Sequence, residues 1–93
     1  MNQPKQTKKV EIYTTTYCPY CVKAKALLTK KGISYTEVLV DDEIKKQAMI
    51  ERTGGARSVP QIFVEGELLA GGCDGLFERD AKGELAAILG IVS

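Results

Sequence analysis

Between Lys9 and Thr14, β-branched and aromatic residues alternate around Glu11. That period of two predicts a strand with one buried face. The pattern then changes to helical spacing. From Pro19 to about Lys31 it places Val22, Ala26 and the pair Leu27 and Leu28 on a buried side, with Lys23, Lys30 and Lys31 in water. Gly32 ends this helix, and Lys30 and Lys31 suit its negative C-terminal dipole. Ser34 to Val40 reads as a second strand with Val38 and Val40 on one face, and Asp41, Asp42 and Glu43 cap a second helix ending near Arg52.

After the break at Gly54 and Gly55, a short apolar strand runs from Gln61 to Glu65. Glu65, Gly66 and Glu67 turn the chain into a last strand, Leu68 to Ala70, antiparallel to the one before. Leu76, Phe77, Leu85, Ile88 and Leu89 predict one or two closing helices, parted by Asp80 to Gly83. The first eight residues are polar and aperiodic and read as a loose tail. Strand, helix, strand, helix is an α/β pattern.

At the first strand-to-helix junction stands Cys18-Pro19-Tyr20-Cys21. Cysteines at i and i+3 on an opening helical turn share one face, and Pro19 suits the first helical position, where an amide hydrogen has no intrahelical partner. Cys18 then falls at the N-cap. Free amides and the positive dipole end favour thiolate over thiol there, giving one nucleophile with a resolving thiol, Cys21, behind it.

Composition narrows the chemistry. At 93 residues the chain is read as one domain, 1–93, and 13 basic against 12 acidic side chains leave a net charge of +1. No global field argues for nucleic acid or an anionic membrane. No run approaches the roughly 18 apolar residues of a membrane span, and the N-terminus has no apolar signal core, so the expectation is a soluble, cytoplasmic protein. The absence of histidine removes Cys-His proteolysis and His-based acid–base catalysis. Three cysteines neither fill a four-ligand zinc site nor make a secreted disulfide framework, so the expectation is redox chemistry with no bound metal.

The Cys18-Pro19-Tyr20-Cys21 pair, the turn Ser58-Val59-Pro60 entering Gln61-Ile62-Phe63, and Gly71-Gly72-Cys73-Asp74 together resemble the glutaredoxin family, in particular the small bacterial dithiol members. The resemblance spans nearly residues 9 to 90. It implies a thioredoxin-like α/β fold, a four-stranded mixed sheet flanked by three to four helices. It also implies a glutathione-dependent thiol–disulfide oxidoreductase acting on glutathionylated or disulfide-containing proteins, with glutathione as co-substrate, no tightly bound cofactor, and a monomeric state.

By that resemblance the turn at Val59, with a cis proline at Pro60, offers a backbone edge to the cysteinyl part of glutathione. From sequence alone the isomer of Pro60 stays open. Gly72, Cys73 and Asp74 would take the γ-glutamyl end, Lys46 and Arg57 the glycyl carboxylate, and Tyr20 would flank the ligand. The Cys73 thiol itself is read as a small buried group. Many relatives carry a lysine three residues before the first cysteine where this chain has Thr15, which implies a thiolate at Cys18 still favoured by the helix start but less strongly, and weaker glutathione affinity, unless Lys23 compensates. The alternative within the family is a carrier of a [2Fe-2S] cluster, ligated by Cys18 and glutathione from two chains.

Overall fold

The computed structural model describes the backbone of residues 5, 6, 8–89, 91 and 92 and the side chains of 8–85, 87 and 88. The elements in order are β1 (Lys5–Gln6), β2 (Val10–Thr14), α1 (Pro19–Lys30), β3 (Thr36–Leu39), α2 (Glu43–Thr53), β4 (Gln61–Val64), β5 (Glu67–Leu69), α3 (Gly72–Ala81), α4 (Leu85–Leu89) and β6 (Ile91–Val92). The main sheet has the order β3-β2-β4-β5. β2 and β3 are parallel, joined through α1, and the other two pairings are antiparallel.

Alternation along β2 divides the molecule into two faces. Val10 and Ile12 point into the core with Ile62, Leu28, Leu76 and Ala24, and α1 packs against α3 on this side. Glu11 and Tyr13 point the other way, where Phe63 lies opposite Glu11 in the register and meets the Tyr13 ring edge-on at 5.4 Å. Arg52 of α2 covers this second face. Its guanidinium lies 4.0 Å from the Phe63 ring and donates to Glu11 (2.9 and 3.3 Å) and to the Tyr13 hydroxyl (2.7 Å).

Local signals account for most boundaries. Asp42 is the N-cap of α2 and accepts from the Lys45 amide at 2.7 Å. Gly32 takes a positive φ after α1, and the Ile33 amide returns to the Leu28 carbonyl. Glu65 and Gly66 both have positive φ, the requirement of the tight turn that matches strand twist between β4 and β5.

Three expectations are corrected. The buried stripe of α1 is Cys21, Ala24, Leu27 and Leu28; Val22 is 60% exposed and Ala26 faces water. Cys21 is itself the first core position, which rotates the stripe away from the face read from aliphatic residues alone. The second strand is shorter than Ser34 to Val40, covering Thr36–Leu39 at the edge of the sheet. Lys5–Gln6 pairs antiparallel with β6, Lys5 opposite Val92, where a loose tail was expected. A backbone ladder needs no apolar periodicity, so polar composition did not reveal it. Residues 1–4 and 7 of that tail lie outside the described residues.

Candidate active site

β2 delivers the chain to Thr15, Thr16 and Tyr17, and α1 begins immediately after Cys18. Asp41 holds this loop: it accepts from both the amide (3.0 Å) and the hydroxyl of Thr16, which keeps its carboxyl below the usual range. Cys18 is the N-cap of α1 with extended backbone (φ −136°, ψ 102°), and Pro19 is the first helical residue. The Cys18 sulfur accepts from the Cys21 amide at 3.1 Å. This is the N-cap arrangement in which a thiol occupies the position usually taken by serine or aspartate oxygen.

Cys18 is almost covered, the residue being 9% exposed. On another side the sulfur lies 3.8 Å from the Val59 carbonyl oxygen, the acceptor for its thiol. The Val59-Pro60 bond is cis, and among the described residues no backbone carbonyl accepts from the Val59 amide. Cys21 sits deeper, 1% exposed. Burial first, and then its hydrogen bond with Cys18, push the Cys21 thiol up to about 12, against a lowering contribution from the Thr15 amide.

A cavity of about 410 Å³ opens beside this turn, lined by Tyr20, Val59, Pro60, Gly72, Cys73 and Asp74 among others. A second, of about 340 Å³, lies beyond Val59 and contains Lys46, Arg57, Thr15, Asp41 and Glu43; Ser58 and Val59 line both. Every ligand-contact residue expected from sequence therefore lines one of two adjoining cavities. Cys18 and Cys21 line neither, and Cys18 meets both through Val59. Lys23 stands over the Tyr20 ring at 5.6 Å, at the rim of the first cavity and outside the second, where Thr15 lies.

α3 begins at the first cavity. Gly71 is its N-cap with left-handed backbone, and no side chain caps the helix, so its first amides depend on solvent or a ligand. Gly72 has a positive φ, and a Cβ there would come within 3.0 Å of the Pro60 carbonyl. That close approach brings the helix start against the cis-proline turn. Cys73 is buried, and burial first, then the neighbouring Asp74 charge, raise its thiol above the usual range.

Sequence reasoning missed Gln61. Its side chain is buried and donates to the Ser58 carbonyl (2.9 Å) and hydroxyl (3.3 Å), bracing the turn from within. The available signal was an amide opening an otherwise apolar strand. Among the described residues no cluster of His, Cys, Asp and Glu could hold a metal ion, and no helix is long and apolar enough to cross a membrane.

Comparison with known proteins agrees with this architecture. The family model for glutaredoxin matches residues 10–69. Glutaredoxin 3 of Escherichia coli K12 is 48% identical over 81 residues, covering 86% of this chain and 95% of the relative. Glutaredoxin of Pseudomonas aeruginosa is 44% identical over 80 residues, 86% and 94% of the two chains. The crystal structure of the holo form of glutaredoxin C1 from Populus tremula x tremuloides superposes with a TM-score of 0.77 at 36% identity, covering 87% of this chain and 82% of that one. A buckwheat glutaredoxin–glutathione complex superposes with a TM-score of 0.78 at 29% identity, over 95% and 84%. With its cysteine pair at the start of α1 and its mixed sheet, the chain belongs to the glutaredoxin family of the thioredoxin superfamily and is a thiol–disulfide oxidoreductase.

Proposed function

We propose that this protein, acting as a single domain, uses glutathione to reduce glutathionyl mixed disulfides and, through its second cysteine, protein disulfides. The observation that carries the reading is the position of the Cys18 sulfur, 3.8 Å from the carbonyl of Val59, a residue that lines both adjoining cavities. The buckwheat relative solved with glutathione supports the choice of ligand.

An extended tripeptide with an anion at each end matches this surface. Its cysteinyl backbone would pair with Val59 as an added antiparallel strand, beside Pro60 and flanked by Tyr20. The γ-glutamyl carboxylate would meet the amides of Gly72, Cys73 and Asp74, and the Asp74 carboxylate would accept from the γ-glutamyl amine. The glycyl carboxylate would reach Lys46 and Arg57.

The Cys18 thiolate attacks the glutathione sulfur of a mixed disulfide. A new Cys18–glutathione disulfide forms, the old disulfide breaks, and the partner protein leaves as thiolate. A second glutathione thiolate attacks the glutathione sulfur on Cys18, releasing oxidised glutathione and restoring Cys18. With a protein disulfide, the Cys18 thiolate attacks one sulfur, forming a Cys18–partner disulfide and releasing the other sulfur as a thiolate; Cys21 gives its proton to that thiolate and displaces the partner's remaining sulfur from Cys18, leaving a Cys18–Cys21 disulfide that two glutathiones reduce with release of oxidised glutathione. The site is assigned to a cytoplasmic, monomeric enzyme.

The test is reduction of a glutathionyl mixed disulfide, regenerated in parallel by glutathione with glutathione reductase and by thioredoxin reductase. Turnover with the first system and none with the second is expected. Turnover only with thioredoxin reductase would overturn the reading. The cluster-carrying alternative predicts instead a visible-absorbing dimer after anaerobic reconstitution with iron and sulfide.

A further inference from the structure

Arg79 stands in the third turn of α3, outside both cavities, and its side chain runs back along the helix toward the start. Its Nη1 donates to the carbonyl of Gly75 at 2.9 Å and to the carbonyl of Ala70 at 2.9 Å. Ala70 follows β5 and leads into Gly71 and Gly72, both of positive φ. Gly71, Gly72, Cys73 and Asp74 at this helix start line the first cavity, and no side chain caps α3.

Gly75 completes the arrangement. A Cβ at that position would lie 2.2 Å from the Ala70 oxygen and 2.8 Å from Arg79 Nη1. The missing side chain lets the Ala70 carbonyl come down onto α3, within reach of the guanidinium. Two consecutive glycines have a wide choice of backbone conformation, so a charged donor on the preceding carbonyl adds to the hold that the Gly75 amide has on the Gly71 carbonyl at 2.9 Å.

We propose that Arg79 is a positioning residue for the glutathione site, holding the Ala70 carbonyl and thereby fixing the Gly71-Gly72 turn and the uncapped amides that receive the γ-glutamyl carboxylate. This rests on the glutathione reading above. Arg79 touches no reacting atom. Its effect falls on binding of the ligand, while the Cys18 N-cap, built on α1, is untouched.

The experiment compares wild type, Arg79→Met and Arg79→Lys as full chains. It reads KM for glutathione, kcat with the cysteine–glutathione mixed disulfide, the rate of Cys18 alkylation by iodoacetamide, and thermal midpoint. Arg79→Met is expected to raise KM about tenfold, the scale of one hydrogen bond to a charged group. The kcat and alkylation rate stay within about twofold by the same scale. Arg79→Lys keeps one charged donor within reach of Ala70 and recovers part of the loss. An unchanged KM in folded Arg79→Met overturns the inference. So does a fall in midpoint with KM, kcat and alkylation all impaired together, since that marks general loosening. If Arg79→Met does not fold, the same split between KM and kcat is read on Arg79→Lys. Wild type that turns over no glutathione defeats the functional reading itself, a result distinct from a failure of Arg79.

Discussion

The Cys21 amide donates to the Cys18 sulfur at 3.1 Å, so the second cysteine holds the first through its backbone. A serine at position 21 keeps that amide. Cys21→Ser is therefore expected to retain reduction of glutathionyl mixed disulfides and lose reduction of protein disulfides by the dithiol route. Cys18→Ser should lose both. Parallel assays on the two substrate types check this, and equal loss in both variants would contradict a single nucleophile.

Burial of Cys21 has a pH signature in the reduced protein. Its folded value, about 12, lies above the roughly 8.5 of a free cysteine. A group whose protonated form is favoured by folding stabilises the fold below its unfolded value and loses that contribution as pH rises toward the folded one. Urea unfolding under reductant should therefore show stability falling more steeply above about pH 8.5 in wild type than in Cys21→Ser. Parallel curves would remove burial as the cause.

Thr15 shares the smaller cavity with Lys46 and Arg57, but also with Asp41 and Glu43. Two carboxylates face two cations where an anionic ligand end is proposed to bind. Thr15→Lys is expected to lower KM for glutathione by about three- to tenfold at low salt, with the gain shrinking as ionic strength rises. An unchanged KM, or a gain indifferent to salt, would mean that the glycyl carboxylate lies elsewhere.

Arg52 ties α2 to the sheet through Glu11, Tyr13 and Phe63. Arg52→Met should cost about 2 kcal/mol at neutral pH, the scale of charge-assisted hydrogen bonds with a cation–π contact. The Arg52 guanidinium, chiefly by hydrogen bonding, holds the Glu11 carboxyl below its usual range. A depressed carboxyl contributes stability above its unfolded value of about 4.3 and loses it as pH falls through the folded value. Wild type and Arg52→Met should therefore draw closer in urea midpoint at acid pH. A gap of constant size would assign the loss to packing alone.

What could be read in advance was what is local. Pro19 and Asp42 announce helix starts by chemistry confined to one turn, and Gly66 marks a hairpin by its backbone freedom, so these elements fall where expected. The three stretches resembling glutaredoxins also carried the residues expected around the first cavity, because each is a contiguous piece of chain that the fold brings to one place, whereas Lys46 and Arg57 of the second cavity lie outside them. What escaped depends on distant partners. Val22 lies outside the core because Cys21 takes the buried position. Lys5 joins a strand because Val92 lies opposite it. Arg79 carries no local signal of its contact, since its target carbonyl is nine residues back across a turn. The isomer of Val59-Pro60, left open by the residues alone, is cis as the resemblance implies.

The two contacts of the Cys18 sulfur finally bear on regiochemistry. Any disulfide has two sulfurs, and in solution the more acidic leaving thiol decides which is struck. Here the Cys21 amide lies on one side of the nucleophile and the Val59 carbonyl on another, leaving a restricted line of attack. In the proposed binding mode, a peptide laid along Val59 presents its own sulfur on that line and turns its disulfide partner outward. The choice of departing thiol then follows from approach direction, so partners of widely different acidity would be released with the same outcome.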